Sequence, residues 1–258
     1  MKKKSIFTHS EPYAPLTVIL KKNSGRDASG QVSMRHQGAR QKRYYRKIDF
    51  RRDKRGIYAD VVSIEYDPNR NAHISLVKYQ DGEMRYIIAP QNLKVGDQVI
   101  ASEKAEIQVG NALPLKSIPI GIEIHNVELF PGQGAKFVRS AGSFATIIAK
   151  EENGVHVKLV SGEVRLFSPE SYATIGRVGN IGHKDEVIGK AGRSRLMGIR
   201  PTVRGTAQNP RSHPHGGGEG RSGEGMHPKT PWGKQARGVR TRDPRKWTSK
   251  LIISKRPR

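Results

Sequence analysis

The fold is decided by the stretch Ala72-His73-Ile74-Ser75-Leu76-Val77-Lys78-Tyr79-Gln80-Asp81-Gly82-Glu83-Met84-Arg85-Tyr86-Ile87-Ile88-Ala89. Two apolar runs, rich in β-branched and aromatic residues, flank Asp81-Gly82, and Asp-Gly is a strong hairpin turn sequence. Apolar runs this short favour strands over helices. The stretch therefore predicts two antiparallel strands joined by a tight turn.

The flanking residues extend the same pattern. Residues 57–66 are rich in β-branched and aromatic side chains and end at the turn-forming residues 67–70. Residues 93–100 add a further turn and strand. Several short strands with turns between them, and no long helical pattern, predict a small OB-fold-like barrel.

A second set of short β-like runs follows. Isoleucine recurs at every second position from Ile118 to Ile124, and further runs occupy residues 144–149, 155–159 and 164–166. This pattern predicts an SH3-like barrel. We expect residues 111–115 to be a connector between the barrels and residues 182–189 to form one short helix, and regular patterns end after Leu196.

The charge is concentrated at the two ends of the chain. The 258 residues carry 47 Lys plus Arg against 23 Asp plus Glu, a net charge of +24. Residues 1–56 hold 16 basic and 4 acidic residues, residues 197–258 hold 15 and 3, and the middle is neutral. Since neutralising phosphates and releasing their counterions drives binding by basic segments, the predicted partner is a nucleic acid.

Four regions follow from these patterns. They are a basic N-terminal arm (1–34), an OB-fold-like RNA-binding domain (35–112), an SH3-like barrel (113–196) and a Gly/Pro-rich basic C-terminal extension (197–258). The extension has ten glycines and seven prolines. We therefore predict a tail that is ordered by its partner.

Several classes of protein are excluded by composition. The chain has no cysteine, so disulfides and thiolate metal sites are excluded. No stretch reaches the roughly 18 apolar residues of a membrane span, and no apolar run of a signal peptide follows the charged start of the chain. These features predict a soluble, cytoplasmic protein that does not contact membranes.

Cations and aromatic residues interleave in residues 35–47. Aromatic rings can stack on unpaired bases while neighbouring Lys and Arg bind phosphates, a combination common in RNA-binding proteins. We therefore predict that this segment contacts RNA. The alternative is a solvated basic strand whose tyrosines pack on the first barrel.

Residues 209–221 contain no large apolar side chain. Cations, glycines and prolines dominate this segment and its flanks, residues 200–205 and 231–234, and glycines let backbone N–H groups approach phosphates closely. Trp232 is either a stacking platform or a packing anchor. Residues 139–142, next to a turn of the second barrel, are either a phosphate-binding corner or a turn with a solvated arginine.

Histidines in the same region raise a metal hypothesis and a catalytic one. His213, His215 and His227, with two nearby glutamates, are possible ligands, but their spacing matches no metal-binding helix, and contact with RNA explains the first two equally well. We predict no metal site. His213 is the candidate general acid or base, although no nucleophile and orienting carboxylate are evident beside it.

Two nucleotide-binding motifs are present only in part. Residues 218–223 match the glycine spacing of a dinucleotide site, but they neither follow a predicted strand nor open a predicted helix. Gly233-Lys234 is followed by Gln235, so a P-loop is excluded.

Long, ordered motifs resemble one known family. The chain from about residue 12 to residue 253 resembles the family of large-subunit ribosomal protein number two, in its bacterial or organellar form. The matching segments are residues 65–70, 86–90, 110–111, 125–128, 139–142, 189–192, 200–205, 209–210, 213–221, 231–234 and 241–242.

The resemblance implies a function and a set of partners. It implies a non-enzymatic primary rRNA-binding protein with two barrels and basic extensions, which scaffolds the peptidyl transferase region and contributes to assembly. Implied partners are large-subunit rRNA, the small subunit through an intersubunit bridge, and other ribosomal proteins, in a cytoplasmic or organellar ribosome. No cofactor is implied, apart from Mg²⁺ carried by the rRNA. The alternatives are a catalytic contribution to peptide-bond formation through His213 and a free RNA-binding translation or transcription factor.

Residues and resemblance together predict the RNA contacts. They are Arg35, His36, Arg40, Lys42, Arg43, Tyr44, Arg46, Arg51, Arg52, Arg70, Arg139, Arg200, Arg204, Arg211, His213, His215, Gly216, Gly217, Gly218, Arg221, Trp232, Lys234, Arg240 and Arg242. Residues 38–42 stand where the family has a run of glycines, and the N-terminal arm is shorter than usual. We therefore predict that this arm contacts RNA differently from a typical member.

Overall fold

The strands are short, and most lie in two antiparallel sheets. The structure is a computed structural model that describes residues 7–8 and 11–256. The strands are β1 (Thr17–Ile19), β2 (Tyr44–Arg46), β3 (Ala59–Glu65), β4 (Ile74–Tyr79), β5 (Met84–Ile88), β6 (Gln98–Val99), β7 (Ala112–Pro114), β8 (Glu123–His125), β9 (Val127–Glu128), β10 (Ala135–Phe137), β11 (Ala145–Glu151), β12 (Gly154–Lys158), β13 (Val164–Phe167), β14 (Tyr172–Ile175) and β15 (Ile252–Ser254).

Helical segments are few in the part of the chain that is described. The α-helix is α1 (Ala191–Leu196), and the 3₁₀-helices are Ala14–Leu16, Leu115–Ser117, Ile181–Asp185, Gly205–Ala207 and Trp247–Leu251. The short helix predicted at residues 182–189 is therefore a 3₁₀-helix. The sequence did not predict α1.

Residues 72–89 form the predicted hairpin. β4 and β5 pair antiparallel, and the turn closes where the Gly82 N–H donates to the Tyr79 carbonyl oxygen at 2.9 Å. β3 pairs with the other side of β4, and β6 pairs with β3, which gives the order β5-β4-β3-β6. Val61, Val77 and Ile87 are buried together beneath this sheet. The OB-fold-like prediction is confirmed.

The second sheet has seven strands in the order β15-β13-β12-β11-β8-β14-β7. β11, β12 and β13 are strands that the sequence predicts, and they form consecutive antiparallel pairs. Of the alternating isoleucines, Ile118 and Ile124 enter the core, whereas Ile120 stays exposed. A mainly β architecture with an SH3-like second barrel is confirmed.

The predicted connector at residues 111–115 is wrong in part. Residues 112–114 form β7, which pairs with β14 and places Pro114 opposite Tyr172. β7 is an edge strand, and proline is tolerated there because one side of the strand needs no donor. Leu113 is buried in the core of the second sheet, so this short run contributes to packing.

The end of the chain returns to the second sheet. β15 pairs with β13, where Val164 lies opposite Ser254. The sequence indicates that regular structure ends at Leu196, and this prediction is wrong. β15 is not evident from the sequence because it depends on a partner strand more than 80 residues earlier.

A fully buried histidine lies where β8 ends. The His125 Nδ1–H donates to the Gly176 carbonyl oxygen at 2.7 Å. The pKa of His125 is lowered to about 4, chiefly by burial; the Gly176 hydrogen bond opposes this shift, and the nearby Arg52 cation adds a smaller lowering. His125 is therefore neutral at physiological pH.

The protein is expected to lose about 2 kcal/mol of unfolding free energy between pH 7 and pH 5 because of His125. The pKa of His125 is about 4 in the folded chain against an ordinary 6.5, so below pH 6.5 the unfolded chain binds more protons. This stability is fully present above pH 6.5 and is lost as the pH falls towards 4. Urea unfolding at the two pH values measures the loss.

The matched control for this prediction is His125→Asn. Asparagine keeps a donor for Gly176 and has no proton to gain in this range. Burial also lowers the pKa of His73, but His73 is present in both proteins and cancels in the comparison. Equal pH dependence of the two proteins would contradict the prediction.

The chain divides into two compact units. The first consists of Lys42–Val187 with the segments up to Leu20 and from Thr248, and the second consists of Lys21–Gln41 and Ile188–Trp247. The predicted boundaries after residues 34, 112 and 196 stay a prediction. Among the described helices, none is long and apolar enough to cross a membrane.

Candidate nucleic-acid interface

Most of the predicted RNA contacts lie in the second unit. Its 81 residues hold 19 basic and 4 acidic residues, a net charge of +15. Its exposed candidates are Arg35, His36, Arg200, Arg204, Arg211, Gly218, Arg221, Trp232, Lys234, Arg240 and Arg242, and its half-buried candidates are Arg40, Gly216 and Gly217. The unit therefore carries more than half of the chain's net charge.

Six exposed arginines among the predicted contacts of this unit form no ion pair with a described residue. They are Arg35, Arg200, Arg204, Arg211, Arg221 and Arg240. An exposed guanidinium presents donors in a planar fork that matches phosphate geometry. These side chains are therefore available to a polyanion.

Backbone hydrogen bonds join the two basic arms within the second unit. The Gly38 N–H donates to the Gly198 carbonyl oxygen at 2.8 Å, and the Arg200 N–H donates to the His36 carbonyl oxygen at 3.0 Å. The atypical segment 38–42 thus packs on the start of the C-terminal extension. Its different path on RNA stays a prediction.

His213 and His215 form a buried, stacked pair in the glycine-rich loop. Their ring centroids are 5.1 Å apart with an interplanar angle of 28°. The His215 N–H donates to His213 Nδ1 at 3.1 Å, so that nitrogen carries no proton. Both rings are more than 90% buried. The structure places both inside the loop, and their contact with RNA stays a prediction.

The His215 ring bridges two other parts of the loop. Its Nε2 accepts the Lys229 N–H at 2.8 Å, so its Nδ1 bears the proton, which is donated to the Glu224 carbonyl oxygen at 3.1 Å. The His215 ring therefore connects positions 9 and 14 residues further along the chain to the centre of the loop. This gives the predicted tail an internal polar core that its composition does not reveal.

Gly216 and Gly217 are required by the packing of the loop on itself. A Cβ on Gly216 would lie 2.5 Å from the Gln208 carbonyl oxygen, and Gly217 has φ +86° with Pro210 2.8 Å from the same position. Their N–H groups donate to the His213 and Gln208 carbonyl oxygens. The loop backbone thus satisfies donors that the sequence assigns to phosphates.

Replacing His215 with phenylalanine is expected to loosen the loop. Phenylalanine keeps the shape and stacking of the ring but removes both bridging hydrogen bonds, each worth about 0.5–1.5 kcal/mol. We expect exchange of the Lys229 amide hydrogen to accelerate about tenfold or more, measured by NMR on the full chain.

Exposed His227 provides the matched control. Its contact is a 2.6 Å hydrogen bond with the Gln235 side chain, and it lies in the same loop. His227→Phe should leave exchange of the Lys229 amide unchanged. An unchanged exchange rate in His215→Phe would show that the bridge does not hold the loop.

The metal hypothesis gains nothing from this geometry. Both ring nitrogens of His215 are engaged in hydrogen bonds with the backbone. Among the residues that the structure describes, no three histidine or carboxylate side chains converge on one point. That the protein has no resident metal stays a prediction.

The catalytic hypothesis meets a related obstacle at His213. Its Nδ1 is occupied as an acceptor, so the remaining nitrogen, Nε2, carries the proton in the neutral ring. Acting as a base at Nε2 would require a shift of tautomer and loss of the hydrogen bond from His215. The geometry suits a structural ring better than a proton carrier.

The first unit holds the other predicted contacts. Lys42, Tyr44, Arg51 and Arg139 are exposed, whereas Arg43 and Arg70 are half-buried and Arg46 and Arg52 are buried. Arg43, Arg46 and Arg70 each donate a side-chain hydrogen bond within the unit. Arg52 is held through its backbone N–H, which donates to the Asp49 carboxylate at 2.8 Å.

The two half-buried arginines are held by the first barrel. Arg43 donates to the Pro68 carbonyl oxygen at 2.6 Å, and Arg70 pairs with the buried Asp67 carboxylate. The Arg70 guanidinium also lies 5.6 Å from the centre of the half-buried Tyr45 ring. Tyr45 thus packs on the barrel and Tyr44 is open to solvent, and contact of this segment with RNA stays a prediction.

The predicted phosphate corner at residues 139–142 is closed by its own backbone. The Gly142 N–H donates to the Val178 and Gly179 carbonyl oxygens. Arg139 remains exposed, with its guanidinium 4.7 Å from the centre of the Phe50 ring. The Gly142 N–H is therefore not available to a phosphate at this turn, whereas the Arg139 side chain is.

The second unit also has exposed cations that the prediction did not include. Examples are Arg195 on α1, Lys229 and Arg237. The same charge count that identifies the basic segments includes them.

Two family models match the chain. One, described as Ribosomal Proteins L2, RNA binding N-terminal domain, matches residues 13–101. The other, described as Ribosomal Proteins L2, C-terminal domain, matches residues 108–233. The first match covers the segment of interleaved cations and aromatic residues, and the second covers the histidine pair and Trp232.

Proposed function

The chain belongs to the ribosomal protein L2 family, whose members are structural, RNA-binding constituents of the large ribosomal subunit, and from that premise we propose that it scaffolds the rRNA around the peptidyl transferase centre. The observation that carries the proposal is the second unit, with its net charge of +15 and its unpaired arginines. A surface of this kind binds phosphates through charge and counterion release. The loop of residues 213–221 is the proposed point of closest approach.

The proposed partners follow from the same surface. We propose that the protein binds rRNA early in assembly, contacts neighbouring ribosomal proteins and contributes to an intersubunit bridge. Any Mg²⁺ near the loop is proposed to be held chiefly by rRNA phosphates, since this ion prefers oxygen ligands and Glu219 is the one carboxylate of residues 213–221. No resident cofactor is proposed.

RNA–protein crosslinking with sequencing in the native cell tests this proposal. Crosslinks from residues 35–55 and 200–245 to large-subunit rRNA near the peptidyl transferase region are expected. Crosslinks dispersed over many transcripts, with most of the protein off the ribosome in a sucrose gradient, would indicate a free RNA-binding factor instead.

Substitution of His213 separates scaffolding from catalysis. With His213→Ala, an assembly defect and normal peptide-bond formation in the surviving subunits are expected, because the ring accepts the His215 N–H inside the loop. Normal assembly with peptide-bond formation slowed by orders of magnitude would support a catalytic contribution and overturn the scaffolding role of this residue.

A further inference from the structure

Trp232 is exposed on a well-ordered turn. Its side chain is 73% exposed, although tryptophan is usually largely buried. The Gly233 N–H donates to the Thr230 carbonyl oxygen at 2.9 Å, and the Thr230 N–H donates to the Lys234 carbonyl oxygen at 2.7 Å. Such exposure excludes the packing-anchor alternative for this ring in the second unit.

The turn has features that fix the backbone beneath the indole. Pro231 restricts φ at the first corner, and Gly233 has φ +78°, which the left-handed position after the corner requires. Lys229 and Gln235 form an antiparallel bridge at the base of the turn. The Lys229 N–H is also bound by the His215 ring, so the turn is tied to the histidine pair. The ring is thus exposed on backbone that hydrogen bonds hold in place.

An arginine from the other basic arm covers one side of the indole. The Arg35 guanidinium carbon lies 5.3 Å from the centre of the Trp232 ring, within the range of a cation–π contact. Given the 73% exposure, the rest of the indole surface is open to solvent. The arrangement is a flat aromatic surface with a cation at one face and space at the other.

All charged residues close to Trp232 in the sequence are basic. Residues 225–242 hold five Lys or Arg residues and no Asp or Glu. An apolar protein partner could bury the indole but would have no counter-charge for these cations. Single-stranded nucleic acid offers both bases that can stack on the indole and phosphates that can pair with the cations. The chemistry therefore favours an unpaired base over an apolar peptide.

We propose that Trp232 and Arg35 form a stacking site for one unpaired nucleobase of RNA. The base lies on the open face of the indole, and Arg35 holds the opposite face while its N–H groups reach the adjacent phosphate. The inference rests on the proposed RNA-binding function and specifies a contact that charge alone does not provide. Every base has a π-face, so the site selects unpaired over paired nucleotides rather than one sequence.

The chain has two tryptophans, which makes a direct optical test possible. In a full-length Trp247→Phe background, fluorescence reports on Trp232 alone. The probes are a single-stranded oligouridylate of about 12 nucleotides and an abasic ribose-phosphate strand of the same length and charge. We expect oligouridylate to quench Trp232 strongly and the abasic strand to bind without comparable quenching.

Affinities of variants complete the test. Trp232→Ala is expected to weaken oligouridylate binding about tenfold and to leave abasic-strand binding within about twofold, because only the former includes stacking. Trp232→Phe should recover part of the loss. Arg35→Lys, which keeps the charge but removes the planar group, should weaken oligouridylate binding by a smaller factor.

The outcomes separate this inference from the function on which it rests. If both strands bind in a salt-dependent way with equal affinity, and Trp232→Ala changes neither, RNA binding stands and the stacking site is overturned. If the wild-type chain binds neither strand, both proposals are overturned. Burial of Trp232 only on adding ribosomal proteins would assign the ring to a protein partner and overturn the inference.

Discussion

Replacing Glu128 with alanine is expected to lower the free energy of unfolding of the first unit by about 3–5 kcal/mol. The carboxylate is buried in β9 and accepts three backbone N–H groups, from Gly132 at 3.3 Å, Gly134 at 2.9 Å and Tyr172 at 3.1 Å. Hydrogen bonds to a charged acceptor are stronger than neutral ones, and alanine would leave buried donors without partners. Urea unfolding followed by far-UV circular dichroism measures the loss.

Two further variants serve as controls for the Glu128→Ala prediction. Glu128→Gln keeps the volume and one acceptor oxygen, so it should cost less than the alanine substitution. Glu152→Ala removes an exposed carboxylate from the turn between β11 and β12 and should change stability by less than about 0.5 kcal/mol. Equal stability of Glu128→Ala and Glu152→Ala would show that the carboxylate does not hold this junction.

Glu128 also shows what the sequence could not predict. Residues 125–128 are visible as a motif, but nothing local indicates that the carboxylate joins the turn after β9 to the start of β14. Tyr172 lies 44 residues away along the chain. Contacts of this kind depend on tertiary structure, whereas the hairpin of residues 72–89 is predictable because its turn, alternation and pairing are all local.

Three of the strands that the sequence missed share one property. β7, β14 and β15 have three or four residues each, and each pairs with a strand remote in sequence. A run that short carries too few alternations to establish a period. Whether such a run forms a strand depends on pairing with a neighbouring strand. The local sequence therefore predicts a connector at residues 111–115 and a tail at the end of the chain.

The candidate interface was predictable in composition and less so in detail. Charge counts identify both basic arms because electrostatic attraction to a polyanion depends on sums rather than on exact positions. Burial of His213 and His215 was not predictable, because polar residues enter an interior only when specific partners satisfy them. The loop therefore combines a predictable charge with an internal structure that only coordinates reveal.

Removing four arginines from the second unit is expected to weaken binding to large-subunit rRNA about a thousandfold at moderate salt. Arg200, Arg204, Arg211 and Arg221 are exposed and have no ionic partner among the described residues. If each neutralises one phosphate and contributes about 1 kcal/mol, their joint replacement by glutamine removes about 4 kcal/mol of binding free energy. Filter binding of the full chain to the rRNA transcript measures this.

The salt dependence provides a sharper readout than affinity alone. Each phosphate contact contributes roughly 0.7–0.9 to the slope of log affinity against log salt, so the fourfold variant should bind with a slope shallower by about 3. The matched control replaces four exposed lysines of the first unit that were not predicted to contact RNA, namely Lys78, Lys94, Lys158 and Lys184, by glutamine. The control removes the same net charge, so any general effect of charge on a polyanion appears in both variants. Equal slopes for the two variants would mean that these four arginines contact no more rRNA phosphates than the four control lysines do. A difference of about 3 would localise the phosphate contacts to the arginines.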